Sequence, residues 1–248
     1  MNVLSLFAGI GGLELGLERA GMTTVGQVEL NAWCRDVLAR HWPDIPQHDD
    51  VITAPGWWAS TERPRVDVVC GGFPCQPFST AGLGGGTGDP RWGWPWFEAV
   101  VRAVRPRYVI VENVPALLAD ADAFGWMLGG LAHLGFDAEW SVLSACTFGA
   151  PHTRERLFVL AYRAGDDGEQ QVHLPSAVAG RRPSARAAGG DAGAVGWLPE
   201  PDVGRVAYGL PKRMVAPQLH ALGNAVVPDV AEHIGRLIMA AEAMEVAA

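Results

Sequence analysis

The sequence contains little positive charge. Its 248 residues hold 19 lysines and arginines against 27 aspartates and glutamates, for a formal net charge of -8, and Lys212 is the only lysine. Because neutralisation of phosphates by Lys and Arg supplies most non-specific affinity for nucleic acids, this balance argues against diffuse binding to a polyanion. A protein of this composition that recognises a phosphate or a base needs arginines gathered in one place.

Long apolar runs and clusters of metal ligands are also absent from the sequence. No window reaches the roughly 18 consecutive apolar residues of a membrane span, and the start lacks the basic stretch of a signal peptide, so we expect a cytoplasmic protein without a membrane partner. The four cysteines form no Cys-x-x-Cys pair and no Cys/His group at zinc spacing, so we expect no bound metal. The pattern leaves the role of Cys34 open.

The glycines do not form a phosphate-binding signature. Phe7-Ala8-Gly9-Ile10-Gly11-Gly12 lacks the G-x-G-x-x-G spacing, and no glycine-rich stretch continues into Lys-Ser or Lys-Thr. A Rossmann-type oxidoreductase and a P-loop are therefore disfavoured. The turn still follows an apolar run and opens a helical pattern, where glycines let the backbone approach a ligand at a helix N-terminus.

Two acidic residues follow at the ends of later elements. Glu29 lies about 18 residues after Gly11, where a carboxylate can bond ribose hydroxyls, and Asp50 can receive an adenine amino group. Helix capping by either acid is the alternative. Taken together, the acids and the glycine turn favour the nucleoside cofactor S-adenosylmethionine. The predicted cofactor-binding residues in these segments are Phe7, Gly9, Gly11, Gly12, Glu29 and Asp50.

Apolar segments alternate along the chain between strand and helix patterns. They predict strands at 2–7, 23–29, 66–70, 107–112, 138–145 and 156–162, and helices at 11–20, 32–41, 96–104, 121–134 and 229–244. Such alternation is typical of an α/β fold with a doubly wound, mostly parallel, Rossmann-like sheet. We expect an α/β domain over 1–162, a loop-rich or partly disordered insert over 163–203, and a C-terminal segment over 204–248 that returns to the first domain.

A cysteine between two prolines follows one of these strands, in Gly71-Gly72-Phe73-Pro74-Cys75-Gln76-Pro77. Prolines fix φ and donate no backbone hydrogen bond, so Cys75 is expected on a stiff loop at the carboxyl end of a strand. That is where open α/β sheets keep their chemistry. A buried, inert cysteine is the alternative. The following segment from Ala81 to Trp94 is rich in glycine, and we expect a mobile loop that closes over bound substrate.

Glu112 and two arginines also stand at strand ends. Tyr108-Val109-Ile110-Val111-Glu112-Asn113 repeats the arrangement at Cys75, so both side chains reach one crevice if their strands are parallel neighbours. Arg154 and Arg156 precede another apolar strand, and alternate residues of an extended segment share a side. The alternatives are a capping role for Glu112 and solvated surface charge for the arginines.

The ordered set of these segments, with Gly223-Asn224-Ala225-Val226-Val227-Pro228, is similar to the motif series of the DNA cytosine-5 methyltransferases. The resemblance extends from the chain start to Pro228 and omits only the insert. It implies that Cys75 is the nucleophile, that Glu112 binds the ring edge of cytosine, and that Arg154 and Arg156 contact the base. It also places Pro74 and Asn224 at the cofactor site. The implied reaction is methyl transfer from S-adenosylmethionine to carbon 5 of a cytosine flipped out of double-stranded DNA.

The chain departs from the family pattern in two places. The arginine motif begins with His152 where glutamine is usual, which leaves the role of that position open. The family reads DNA with a recognition region where this chain has only about Arg163 to Val203, so we expect a short recognition sequence or limited specificity. The resemblance leaves three further matters open: a separate cognate restriction enzyme, an RNA substrate such as transfer RNA, and a catalytically silent DNA-binding homologue. We expect a monomer.

Overall fold

Residues 1–74, 92–163 and 212–247 are described in the structure, a computed structural model, with side chains in the last range described from 216 to 244. The strands are β1 (Asn2–Leu6), β2 (Thr23–Val28), β3 (Gln47–His48), β4 (Val68–Gly71), β5 (Tyr108–Asn113), β6 (Asp137–Ser144) and β7 (Glu155–Tyr162). The helices are α1 (Gly12–Arg19), α2 (Ala32–His41), α3 (Ala54–Ala59), α4 (Trp94–Val104), α5 (Ala121–His133), α6 (Lys212–Asn224) and α7 (Pro228–Ala247). Two short 3-10 helices lie at Pro115–Ala119 and Ala145–Phe148.

These strands form one sheet in the order β3-β2-β1-β4-β5-β7-β6. All pairings are parallel except those of β7, which runs antiparallel to both β5 and β6. Every residue of β4 and β5 is buried, as expected for central strands covered on both faces. The predicted α/β fold with a doubly wound, mostly parallel sheet is confirmed.

Helices cover both faces of the sheet. On one face Leu17 of α1 and Ile234 of α7 pack against the side chains of β1, β4 and β5. On the other face Phe97 of α4 and Met127 of α5 belong to a second apolar cluster, which also includes Ala54 of α3. The β1, β4 and β5 strands therefore lie in the centre of a three-layer core, and their carboxyl ends open to one edge.

The strands and helices that were predicted lie within three residues of the observed bounds, but the two-residue strand β3 and the helices α3 and α6 were not predicted. α3 has only six residues, too few for a helical period, and α6 contains Pro217, which argues against a helix. Residues 75–91 and 164–211 are outside the described part, so most of the predicted glycine-rich loop and nearly all of the 163–203 insert lie there. The domain division stays a prediction. No helix in the described part is long and apolar enough to cross a membrane.

Glycines allow α1 and α7 to pack almost backbone to backbone. A Cβ atom on Gly16 would lie 2.3 Å from the carbonyl oxygen of Pro228 and 2.5 Å from Cβ of Ala231. A Cβ on Gly12 would lie 2.3 Å from the carbonyl oxygen of Val226. The start of α7 is thereby held against the first turns of α1, directly behind the glycine turn.

We predict that Gly16→Ala lowers the free energy of unfolding by about 1–3 kcal/mol, because the added methyl group must displace the α7 backbone and outweighs the better helix propensity of alanine. Gly125→Ala is the matched control, since no atom lies within 4 Å of its Cβ position in α5. It should stabilise the protein by roughly 0.5–1 kcal/mol. Urea unfolding of both variants measures the difference, and equal effects would contradict this account of the helix contact.

One carboxyl group lies wholly inside the protein beneath α1. Glu14 is 0% exposed, and neither of its oxygens has a hydrogen-bond partner among the described residues. Burial disfavours the charged form and raises the pKa of Glu14 from 4.5 to about 7. The charged form is therefore unfavourable inside the fold, and its cost grows as the pH rises from the unfolded pKa to the folded one.

We expect Glu14→Gln to leave stability unchanged at pH 4 and to raise it by up to about 3 kcal/mol at pH 8, since the raised pKa corresponds to a penalty of about 1.4 kcal/mol per unit. The stability of the wild type should fall between these pH values, and the variant should lose that part of the slope. Glu62→Gln, at an exposed position, serves as the control. A parallel pH dependence in wild type and Glu14→Gln, measured by denaturant unfolding, would refute the assignment.

Candidate active site

Two glycines bring the end of β4 between β1 and β5. A Cβ on Gly71 would lie 2.2 Å from the carbonyl oxygen of Leu6, and one on Gly72 would lie 2.5 Å from Oε2 of Glu112. Only glycine fits at either position without displacing its neighbour. Cys75 lies outside the described residues, but it is bonded to Pro74, which is described and exposed.

The parallel pairing that the prediction required is present. β4 and β5 are adjacent and parallel, with Gly71 opposite Val111, so the segment that leads to Cys75 and the carboxyl end of β5 meet at one edge of the sheet. Asn113 fastens the two together, because its Nδ2 donates to the carbonyl oxygen of Phe73 at 3.2 Å. Its Oδ1 accepts from the backbone N–H of Val114 at 2.8 Å. Asn113 was not among the predicted site residues, although its position directly after Glu112 was a signal.

Glu112 is a buried acid with a cation beside it. It is 7% exposed, and Nε of Arg156 lies 3.0 Å from its Oε1. The contact is an ion pair without good hydrogen-bond geometry, since that oxygen accepts no hydrogen bond from the described residues. Burial raises the pKa of Glu112 from 4.5 to about 7, although Arg156 and then Arg154 act to lower it. A large fraction of this carboxyl group is therefore protonated at neutral pH, and it can donate as well as accept.

The two predicted arginines both lie near Glu112, but they are held differently. Arg156 also donates from Nη1 to the carbonyl oxygen of Glu155 at 2.8 Å. Arg154 has a positive φ of 29° and donates from Nη2 to the carbonyl oxygen of Gly223 at 2.8 Å. Burial, and then the charge of Arg156, lower the pKa of Arg154. Its buried Nε has no hydrogen-bond partner among the described residues.

The glycine turn after β1 is held by Glu29. Phe7 and Gly9 have φ values of 52° and 58°, the left-handed region that glycine tolerates and phenylalanine rarely adopts. The backbone N–H of Gly9 donates to Oε2 of Glu29 at 2.8 Å, and the N–H of Asn31 donates to Oε1 at 2.7 Å. Glu29 therefore fixes the turn, and each oxygen keeps a lone pair for a further donor.

Exposed apolar side chains accompany the acids of this region. Leu30 is 78% exposed and follows Glu29, and Ile52 is 58% exposed and follows the Asp50 turn. Asp50 itself is half-buried, and its Oδ1 accepts from the N–H of Ile52 at 2.9 Å. Leu30 and Ile52 were not among the predicted site residues. Their signal was an apolar residue one or two positions after an acid at the end of an element.

The C-terminal motif reaches the same edge of the sheet. Asn224 is the last residue of α6, and its Nδ2 donates back to the carbonyl oxygen of His220 at 3.0 Å. The turn that follows places the Val226 carbonyl against Gly12 of the glycine turn. Gly223, one residue earlier, supplies the carbonyl that binds Arg154. The end of α6 and the turn after it thus contact Arg154 and the glycine turn, whereas the Asn224 side chain makes no hydrogen bond to either among the described residues.

The described residues contain no group of three or more His, Cys, Asp and Glu side chains that could hold a metal ion. The donors of this edge are instead one protonatable acid, two guanidinium groups and the backbone of glycine turns. Such a set suits an organic ligand with hydrogen-bonding edges.

Comparison with known proteins identifies the family to which this chain belongs. The sequence model of the C-5 cytosine-specific DNA methylase family matches residues 1–182. The chain belongs to this family. The match includes both predicted strand ends at Cys75 and Glu112 and the glycine turn, but ends before Asn224.

Curated relatives of the methylase are type II methyltransferases. M2.BsuMI of Bacillus subtilis is 34% identical over 168 residues, which cover 65% of this chain and 42% of that protein. M.NgoBI of Neisseria gonorrhoeae is 33% identical, covering 65% and 50%, and M.AquIA of Picosynechococcus is 32% identical, covering 71% and 78%. The chain thus spans about half the length of the first two, and a larger part of the third.

Solved structures agree on the fold. A DNA modification methyltransferase encoded within an E. coli prophage superposes with a TM-score of 0.56 at 26% identity, covering 66% of this chain and 47% of that one. The S. pombe Dnmt2 methyltransferase gives a TM-score of 0.54 at 23% identity, covering 66% and 51%. The fold of this methylase is therefore that of known methyltransferases.

We predict that Arg156→Gln raises the pKa of Glu112 above about 7, because it removes the nearest cation and leaves the effect of burial. The measurement is a pH titration of the Glu112 carboxyl carbon by NMR, with Glu112→Gln to assign the signal. Arg236→Gln, which removes a solvent-exposed helix ion pair on α7, is the control and should leave the titration unchanged. An unchanged or lower pKa in Arg156→Gln would contradict the inference that Arg156 lowers the pKa of Glu112.

Proposed function

We propose that the protein transfers a methyl group from S-adenosylmethionine to carbon 5 of cytosine in double-stranded DNA, through a covalent adduct of Cys75 with a flipped-out base. The observation that carries the proposal is Glu112: a buried carboxyl group with a pKa of about 7, paired with Arg156, lying against Gly72 three residues before Cys75. Family membership supports the same chemistry.

The residues around the glycine turn suit S-adenosylmethionine. No atom lies within 4 Å of the Cβ position of Gly9, so a ligand can approach that backbone closely. Glu29 keeps lone pairs for ribose hydroxyls, and the exposed Leu30 and Ile52 offer apolar surface to the faces of an adenine ring. When bound, this cofactor supplies a methyl group on a positively charged sulfur. Phe7, Gly11, Gly12, Asp50, Pro74 and Asn224 complete the proposed site.

The reaction begins with Cys75. Its thiolate forms a bond to carbon 6 of cytosine, and the electron pair of the 5,6 double bond moves into the ring, making carbon 5 nucleophilic. Carbon 5 then accepts the methyl group while the methyl–sulfur bond of the donor breaks. Loss of the carbon 5 proton to solvent restores the double bond and expels the thiolate, so Cys75 ends as it began.

Glu112 stabilises the charge that this addition puts on the ring. A protonated carboxyl group donates to ring nitrogen 3 as carbon 6 is attacked and takes the proton back when the thiolate leaves. Its second oxygen can accept from the exocyclic amine, which uracil lacks. The pKa near 7 keeps the acid protonated in much of the enzyme at neutral pH.

Base flipping follows from the location of the site, because carbon 6 of a stacked cytosine cannot reach a thiol on this edge of the sheet. The length of the 163–203 segment and its few basic residues support a short recognition sequence. We also propose that the protein acts as a monomer and that any cognate restriction enzyme acts separately from it.

The proposed function is tested with tritiated S-adenosylmethionine, unmethylated plasmid DNA and transfer RNA in competition. We expect label in DNA and none with Cys75→Ser. Glu112→Gln should lower kcat/KM by about 10²–10⁴-fold, because the amide cannot supply the proton. The wild-type kcat/KM should fall as the pH rises above about 7, where Glu112 loses its proton, and Glu112→Gln should lack this limb.

A covalent complex with DNA that contains 5-fluorocytosine tests the adduct separately, since fluorine cannot leave as a proton does. Wild type should form the complex and Cys75→Ser should not, whereas Cys34→Ser, at a buried cysteine on α2, serves as the matched control and should form it. Label found only in transfer RNA would show that the substrate is RNA and not DNA. A Cys75→Ser variant with full activity would refute the covalent mechanism.

A further inference from the structure

A cavity lined by arginines lies at the opposite edge of the sheet. It has a volume of about 490 Å³ and is lined by Arg65, Arg102, Arg105, Pro106, Arg107, His133, Leu134 and Arg163. We call this set the arginine pocket. It contains five of the 18 arginines of a chain whose net charge is -8, and no acid is among its described lining residues.

The arginine pocket is distant from the candidate active site. Arg107 directly precedes β5, and Glu112 lies near the carboxyl end of that strand, five residues or about 17 Å away. Arg163 follows β7, and its N–H donates to the carbonyl oxygen of Arg107 at 3.2 Å. A base bound at Glu112 therefore does not fill this cavity.

Two of the five arginines are fixed in the floor of the pocket. Arg163 donates from Nε to the carbonyl oxygen of Pro106 and from Nη1 to that of Leu134, each at 3.2 Å, and its guanidinium lies 4.6 Å from the ring centre of Phe136. Nη1 of Arg107 bonds Glu242 at 2.9 Å. These guanidinium groups are ordered before any ligand arrives, which reduces the entropic cost of binding.

The rim arginines are available. Arg102 has an ion-pair partner in Glu98, one turn earlier on α4, and its side chain is 60% exposed. Arg65 and Arg105 are exposed, and neither side chain has an ion pair or hydrogen bond among the described residues. Asp67, near Arg65, directs Oδ2 to the N–H of Asn2 at 2.8 Å and does not line the cavity.

Stabilisation of helix ends does not account for this much charge. α4 and α5 end at the pocket, and each C-terminus carries about half a negative charge, which one cation satisfies. Two of the five guanidinium groups are paired with Glu98 and Glu242, which leaves three positive charges. The two helix ends together carry only about one negative charge. Arg65 precedes β4 and belongs to no helix.

The backbone conformation of Arg105 also indicates a role for its side chain. It caps α4 with φ 53° and ψ 56°, the left-handed conformation in which helices usually place glycine. A residue with a side chain costs about 1–2 kcal/mol there. Glycine would serve the helix end better, so the guanidinium of Arg105 is retained at a cost to stability, which indicates a use for the side chain.

We propose that the arginine pocket binds a phosphate group. Planar guanidinium groups bond phosphate oxygens in pairs, and several converging on one cavity suit an anion with two or more phosphates. The phosphate comes either from a free polyphosphate or nucleotide or from a nucleic-acid backbone that passes this edge. The inference rests on the charge and geometry of the pocket and is independent of methyl transfer at Glu112.

The test uses the full chain, with sodium tripolyphosphate in calorimetry and a DNA duplex in fluorescence anisotropy. The pocket variant is Arg65→Gln with Arg105→Gly, and the control is Arg40→Gln with Arg236→Gln, which removes two exposed arginines elsewhere. We expect saturable binding of tripolyphosphate to wild type and control, weakened at least about tenfold in the pocket variant. The Tm of Arg105→Gly alone should be equal to or above that of wild type.

The two sources give different results with DNA. If the pocket takes a nucleic-acid backbone, the pocket variant should also bind the duplex more weakly, and the slope of log affinity against log salt should fall by about 2. If it takes a free polyphosphate, duplex binding and methyl transfer should be unchanged. Absence of saturable tripolyphosphate binding, or equal losses in pocket and control variants, would overturn the proposal, as would a lowered Tm of Arg105→Gly with unchanged anion binding.

Discussion

The candidate site depends on the burial of one carboxyl group. Glu112 lies between Gly72 and Arg156, where water is largely excluded, and the resulting rise in its pKa outweighs the attraction of the neighbouring cation. Full ionisation of the same acid would occur if Arg156 dominated, and the group could then only accept hydrogen bonds. The fold instead provides enough positive charge to keep the acid in place without forcing its proton off.

Close contacts between backbone segments hold the surroundings of Glu112 in place on two sides. Gly71 and Gly72 let the end of β4 pass against Leu6 and Glu112, and Asn113 ties the Phe73 carbonyl to β5. On the other side the Gly223 carbonyl at the end of α6 accepts a hydrogen bond from Arg154, and the following turn packs against Gly12 through the Val226 carbonyl. The glycine turn, the C-terminal segment around Gly223 and Val226, and Arg154 are thus joined by direct contacts.

The sequence predicted the sheet well because its central strands are buried on both faces and read as unbroken apolar runs such as Val68-Val69-Cys70 and Val109-Ile110-Val111. It also predicted that Glu112 meets the segment leading to Cys75, since parallel neighbours end at one edge. It did not predict α3, which is too short to show a helical period, or α6, in which Pro217 argues against a helix. The sequence also could not show that both oxygens of Glu29 accept hydrogen bonds from backbone N–H groups. An acid at the end of a strand looks the same in the sequence whether it binds a ribose or the backbone of a turn.

Arginines are concentrated at two edges of the sheet, so an anion can be attracted there although the protein as a whole is acidic. Arg65, Arg107 and Arg163 are far apart in the chain and become neighbours only because β4, β5 and β7 are adjacent in the sheet. Arg107 lies about 17 Å from Glu112 along β5, and Arg154 and Arg156 lie near Glu112 at that end of the strand. Since that separation exceeds the screening length of about 10 Å at 0.1 M salt, each cluster acts on its own surroundings. Local potential at either edge, and not the net charge of -8, therefore governs which anions approach.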